Sequence, residues 1–164
     1  MFLLNTLVLW VHLFCAVLFV GGSFFMWLVL MPASKSFAKD ESDRTQIVGK
    51  IARQFGRITN PILLLLVLTG IYNVSWYLPS YEYLLSFKSY EATVLFVKVI
   101  MVALLMALVY AHGAYYGRKI VKLARERDVE GLKVVRRRSR IISYANLALM
   151  IAILILAVML QMPP

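Results

Sequence analysis

Cysteine is nearly absent from this chain: Cys15 is the only one in 164 residues. That excludes a disulfide framework and a cysteine-rich zinc site. Acidic residues are also few, 8 against 18 Lys plus Arg, so the formal net charge is +10. Four stretches, roughly 2–31, 58–78, 93–117 and 141–162, hold no Asp, Glu or Arg, and their one lysine is Lys98. No segment alternates apolar and polar residues over strand length, which excludes a β-rich fold. Little polar chain remains between the stretches, so no segment reads as a soluble domain able to fold alone. The first stretch lacks a charged n-region and a small-residue cleavage motif. It is read as a retained span, not a removed signal peptide.

What is present is apolar. Hydrophobic residues make up 62% of the chain and the mean hydropathy is +0.78. Each of the four stretches is long enough to cross a bilayer core of about 30 Å, which takes about 20 helical residues. Within lipid a single segment satisfies its backbone only as a helix. The expected fold is therefore an all-α integral membrane protein: one domain, residues 1–164, arranged as an up-down-up-down four-helix transmembrane bundle. Core sites in such bundles are built from facing helices. Pro32 is expected to mark the break after the first span. Pro61 is placed in the first turn of the second, where a missing N–H does no harm. Gly131 is the expected break in the third loop, whose start continues the third span as a basic helix.

The placement of charge gives an orientation. Nearly all Lys and Arg lie in the first and third loops, including the run Arg136–Arg137–Arg138, whereas the second loop carries only Lys88. The positive-inside rule puts loops one and three in the cytoplasm and both termini outside, in a multi-pass protein of the cytoplasmic membrane. The basic loops are expected to meet anionic lipid headgroups, not nucleic acid. The second loop and its edges hold Trp76, Tyr77, Tyr81, Tyr83 and Tyr90, an interfacial aromatic belt. Gly21, Gly22 and Ser23 in the first span, and Ala111, Gly113 and Ala114 in the third, allow close helix approach or leave room for a flat ligand.

The polar residues inside the spans carry the functional argument, because ionisable groups at such depths cost about 3 kcal/mol or more each. His12 and Cys15 are three apart and share a helix face. Lys98 and His112 lie on one stripe of the third span, two heptads apart. Counting from the start of each span, His12 and Lys98 differ in depth by about 6 Å, and His112 lies about 15 Å deeper than His12. One iron held by both histidines is thereby disfavoured. The expectation is an outer site around His12 and Lys98 and an inner feature at His112. The plainer alternatives are a hydrogen-bonded His12, a Lys98 that snorkels to the interface, an interfacial His112, and a Cys15 and methionines that simply fill space.

Several short motifs resemble known families. Trp10-Val11-His12, Val20-Gly21-Gly22 and Leu30-Met31-Pro32 resemble the first helix of the copper-resistance D (CopD) domain. Arg53-Gln54-Phe55-Gly56-Arg57, followed by Thr69-Gly70-Ile71-Tyr72, looks like that family's second helix. The third span, with Lys98, Tyr110-Ala111-His112-Gly113 and Tyr116-Gly117-Arg118, is similar to HemJ, a membrane protoporphyrinogen oxidase family. The HemJ resemblance implies haem b held through a first-helix His and a third-helix Lys, roles that map onto His12 and Lys98. The chain departs from HemJ at the start of the fourth span, where Tyr144-Ala145-Asn146-Leu147 replaces an acidic motif.

The leading expectation from the sequence is thus a haem b membrane protein that transfers electrons or oxidises a porphyrin-like substrate. Its iron would be held by His12, with Lys98 as catalytic or propionate-binding group and His112 as a further cofactor contact. The CopD resemblance implies copper handling instead, for which His12 and Cys15 form the only good soft-donor pair. A third expectation is a cofactor-free structural subunit of a larger membrane complex. The bilayer is a partner in all three. A redox partner and self-association into a homo-oligomer stay open.

Overall fold

The computed structural model describes residues 2–78, 80–85 and 87–162, with the side chains of Glu41 and Tyr77 outside the description. Tyr77 of the aromatic belt therefore lies outside it. Among the described residues there is no strand. Four helices are long and apolar enough to cross a membrane: α1 (Phe2–Ser36), α2 (Glu41–Tyr77), α3 (Tyr90–Arg125) and α4 (Val129–Gln161). Large apolar side chains cover their outer faces, as with Leu3 at 82% exposed and Val17 at 68%. Such a surface is stable against lipid and not against water.

The prolines are absorbed, not avoided. Contrary to the sequence expectation, Pro32 does not end α1. A π-helical turn, Met26–Leu30, precedes it, and the helix continues through Met31–Ala33 to a 3₁₀ turn at Ser34–Ser36. Proline removes the bond to the carbonyl four residues back, here Leu28, and the wider π turn takes up that mismatch. Pro61 also lies inside its helix and not at its start, because α2 begins at Glu41. The polar first loop is mostly the beginning of α2.

That extension is held by a second, basic layer beyond the apolar runs. The Ser42 hydroxyl donates to the Ala124 carbonyl, and the Arg136 guanidinium donates to the Thr45 hydroxyl. Gly49 faces Val121 closely, where a Cβ would sit at 3.3 Å. Ala124, Leu132 and Val135 are buried there. The break between α3 and α4 falls at Glu126–Asp128, not at Gly131. Arg127 takes a positive φ of 56°, and the Asp128 carboxylate caps α4 by accepting from Gly131 N–H at 2.9 Å. A Cβ at Gly131 would meet the Asp128 carboxylate at 2.3 Å and push the cap aside.

Two apolar clusters fix the relative heights of the helices. At one end Val74 of α2 and Leu78 just after it, Ala92, Val94 and Leu95 of α3, and Leu160 of α4 pack together. The Tyr72 hydroxyl donates to the Asn5 side chain there (2.9 Å), and the Tyr90 hydroxyl to the Met159 carbonyl (3.3 Å). The start of α1 and the end of α4 therefore lie at this end, called the terminal end below. Deeper, Phe19, Leu63, Leu105 and Met150, one from each helix, form a central apolar plug. On α1, Gly22 lies against Phe55 of α2, where a Cβ would meet the ring at 2.7 Å. Its small size thus serves close packing. Ala111, Gly113 and Ala114 are exposed and do no such work.

Candidate functional site

His12 lies on the face of α1 that packs against α2. Its Nδ1 is 2.9 Å from the Thr69 hydroxyl. Thr69 has one hydroxyl proton and gives it to the Leu65 carbonyl at 2.6 Å, a shorter contact than its 3.2 Å approach to Leu66. With the hydroxyl proton assigned there, the hydroxyl oxygen accepts from His12; in that tautomer Nδ1 carries the ring proton and Nε2 the lone pair. Gly70 makes the approach possible: a Cβ there would sit 3.2 Å from His12 Cε1. An imidazole with one nitrogen tied down by a neighbour and the other free is the arrangement metal-binding histidines use.

Three other groups lie within about a turn of this level along their helices. Lys98 is half-buried on α3, and among the described residues no hydrogen bond or ion pair ties its ammonium. Asn73, one turn along α2 from Thr69 and Gly70, is 7% exposed, and neither its Oδ1 nor its Nδ2 has a partner. Cys15, one turn along α1, is buried at 5% exposure. It lines a shallow apolar groove of about 450 Å³ with Trp10, Val11, Phe14, Leu18, Ile62 and Leu65. A second groove of about 350 Å³ runs along α1 between Trp10 and Trp76. His12 lines neither groove. Among the described residues no three His, Cys, Asp or Glu side chains gather as a metal cluster would.

His112 is in different surroundings. It opens a π-helical stretch of α3, His112–Gly117. Its Nε2 is 2.8 Å from the Ser139 hydroxyl of α4, and its ring stacks on Tyr116 at 5.8 Å. The plug lies between the two histidines: Phe19 is one heptad inward from His12 on α1, and His112 one heptad inward from Leu105 on α3. Fourteen helical residues separate the two levels, about 21 Å at 1.5 Å per residue. That exceeds the 15 Å or so expected from span boundaries, because the helices are shifted along one another. A single iron between the histidines is incompatible with this geometry. On α4, Ser139, Asn146 and Met150 are all buried on one face, and Asn146 Oδ1 has no partner.

Thr69, Asn73, Ser139 and Asn146 escape a search for ionisable residues. The signal for three of them is present nonetheless: Thr69, Asn73 and Asn146 are hydrogen-bonding side chains inside apolar runs, whereas Ser139 sits between Arg138 and Arg140 and carries no such signal.

The fold defines a four-helix membrane protein with polar groups buried inside the bundle. A sequence model described as copper resistance protein D matches residues 49–160. The chain belongs to the CopD family. The match takes in α2 from residue 49 on, all of α3 and nearly all of α4, including Thr69, Lys98 and His112, but leaves out α1 with His12 and Cys15. Nothing in it ties the chain to HemJ. No curated protein and no solved structure matches the chain.

Proposed function

We propose that this CopD-family protein handles copper in the cytoplasmic membrane, taking the ion at His12 near the terminal end of the bundle. The basic end then faces the cytoplasm, as the distribution of Lys and Arg favours. The observation that carries the reading is the His12–Thr69 pair. It leaves Nε2 as an available lone pair inside a helix bundle whose family is described by copper resistance. Copper as Cu(I) is soft and takes N and S donors. Cys15, one turn from His12, is the sulfur donor nearest in sequence.

Competition of the purified protein against a chromophoric Cu(I) chelator, under reductant, tests this. One copper per chain, lost in His12→Ala, is expected. Absence of copper binding by the wild type, or binding unchanged in His12→Ala, overturns it.

One observation favours a second reading. An ammonium at Lys98 with no acidic partner suits an anionic group next to His12, such as the propionate of haem b, with Lys98 then the catalytic or anchoring residue. Against this stands the fact that neither groove beside α1 is lined by His12. A Soret band in the purified protein, lost in His12→Ala, selects the haem reading. Copper without such a band selects the first.

A further inference from the structure

Transport of copper from His12 toward the basic end meets an obstacle: the plug of Phe19, Leu63, Leu105 and Met150. An ion cannot cross such a layer with its water, and a bare charge there costs several kcal/mol unless a ligand compensates it. Among the four buried members only Met150 has a heteroatom in its side chain. It is 6% exposed. Met106 of α3 packs against the same cluster. One turn further inward on α4, Asn146 is 8% exposed, and its Oδ1 has no partner. A buried carbonyl oxygen without a donor is normally costly, at about 1–3 kcal/mol, and needs a reason. A cation passing from Met150 toward His112 supplies one.

We infer that Met150, assisted by Met106, is the crossing point of the bundle, and that the ion crossing it is a soft monovalent cation, Cu(I) or its analogue Ag(I), and not Cu(II). The inference rests on the copper reading and deepens it. A thioether is neutral, so it adds no charge to the plug, and it binds Cu(I) while offering little to hard or strongly hydrated ions. No bond is made or broken beyond exchange of ligands, and the copper stays Cu(I) throughout: it leaves His12 Nε2 for sulfur at the plug, then sulfur for the imidazole of His112, while the unpartnered Asn146 Oδ1 dipole lowers the cost of the charge between them. The apolar plug excludes hydrated ions, and the methionines make an exception for one class of ion.

The test uses the full chain in proteoliposomes, with Cu(I) kept reduced by ascorbate, and Ag(I) as a redox-silent probe. Met150→Leu, Met106→Leu and the double variant remove sulfur at nearly constant volume, a change that cores tolerate well. The double variant is expected to keep the His12-dependent binding of Ag(I) but to lose at least about tenfold in Cu(I) flux, equivalent to 1.4 kcal/mol in the crossing barrier. In wild type labelled with ¹³C-methyl methionine, Ag(I) is expected to shift the resonance that Met150→Leu removes. Retention of His12-dependent binding in the double variant also shows that it is folded. Flux equal to wild type in the double variant overturns the crossing point and leaves the copper reading standing. A wild type that binds no copper at His12 overturns the copper reading, and the crossing point with it.

Discussion

Substituting Thr69 by valine is the sharpest test of the site, because it is nearly isosteric and removes one oxygen. The Thr69 hydroxyl accepts from His12 Nδ1 at 2.9 Å and donates to Leu65 O at 2.6 Å. In membrane proteins a side-chain hydrogen bond of this kind averages about 0.6 kcal/mol of stability, with a maximum near 1.7. Thr69→Val should therefore stay folded. Its effect on ligand binding should be larger. Removing the outer partner of a ligating histidine costs roughly 10- to 100-fold in metal affinity, which corresponds to about 1.4–2.8 kcal/mol. The loss has two sources: the ring is free to rotate, and the proton is no longer held on Nδ1, so the free lone pair is no longer reserved at Nε2. The assay is an Ag(I) or Cu(I) competition titration of wild type, Thr69→Val, Thr69→Ser and His12→Ala in the same detergent. Thr69→Ser keeps the hydroxyl and should bind close to wild type. If Thr69→Val binds as tightly as wild type while His12→Ala does not bind, the hydrogen bond has no part in the site. If Thr69→Ser is as weak as Thr69→Val, packing of the Thr69 methyl group is responsible instead.

Gly70→Ala places a methyl group 3.2 Å from His12 Cε1, so the ring must move by a few tenths of an ångström. The variant should bind Ag(I) more weakly than wild type and shift the His12 ring resonances. Unchanged shifts would show that the ring does not rest on Gly70. At the basic end, Asp128→Ala removes the cap of α4 and should cost about 1 kcal/mol in denaturation experiments. Gly131→Ala should be nearly neutral there, since the displaced cap is offset by about 1 kcal/mol of helix propensity; a large loss in that variant would mean that more than the cap is disturbed. For orientation, single cysteines in a Cys15→Ser background at the exposed positions Ser36 and Ser80 report the two faces. A membrane-impermeant thiol reagent added from outside should label Ser80→Cys and not Ser36→Cys, and the reverse pattern would invert the topology.

The all-helical fold and its four membrane-length helices were legible in the residues alone. A run of twenty or more apolar residues has one low-energy solution in lipid, a helix, and four such runs give four helices. His12, Lys98 and His112 stand out in the sequence as candidates, because ionisable groups inside such runs are rare. The limits of the helices were not. Pro32 and Pro61 read as boundaries from local preference, but packing in the basic layer carries α2 back to Glu41, and a π turn carries α1 past Pro32. Which side chains meet is a question of how far one helix slides along another, and no single-helix pattern encodes that. The slide is set where Phe19, Leu63, Leu105 and Met150 interlock. It is this contact that puts His12 beside Thr69, hands His112 to Ser139, and holds the two histidines on opposite sides of an apolar layer.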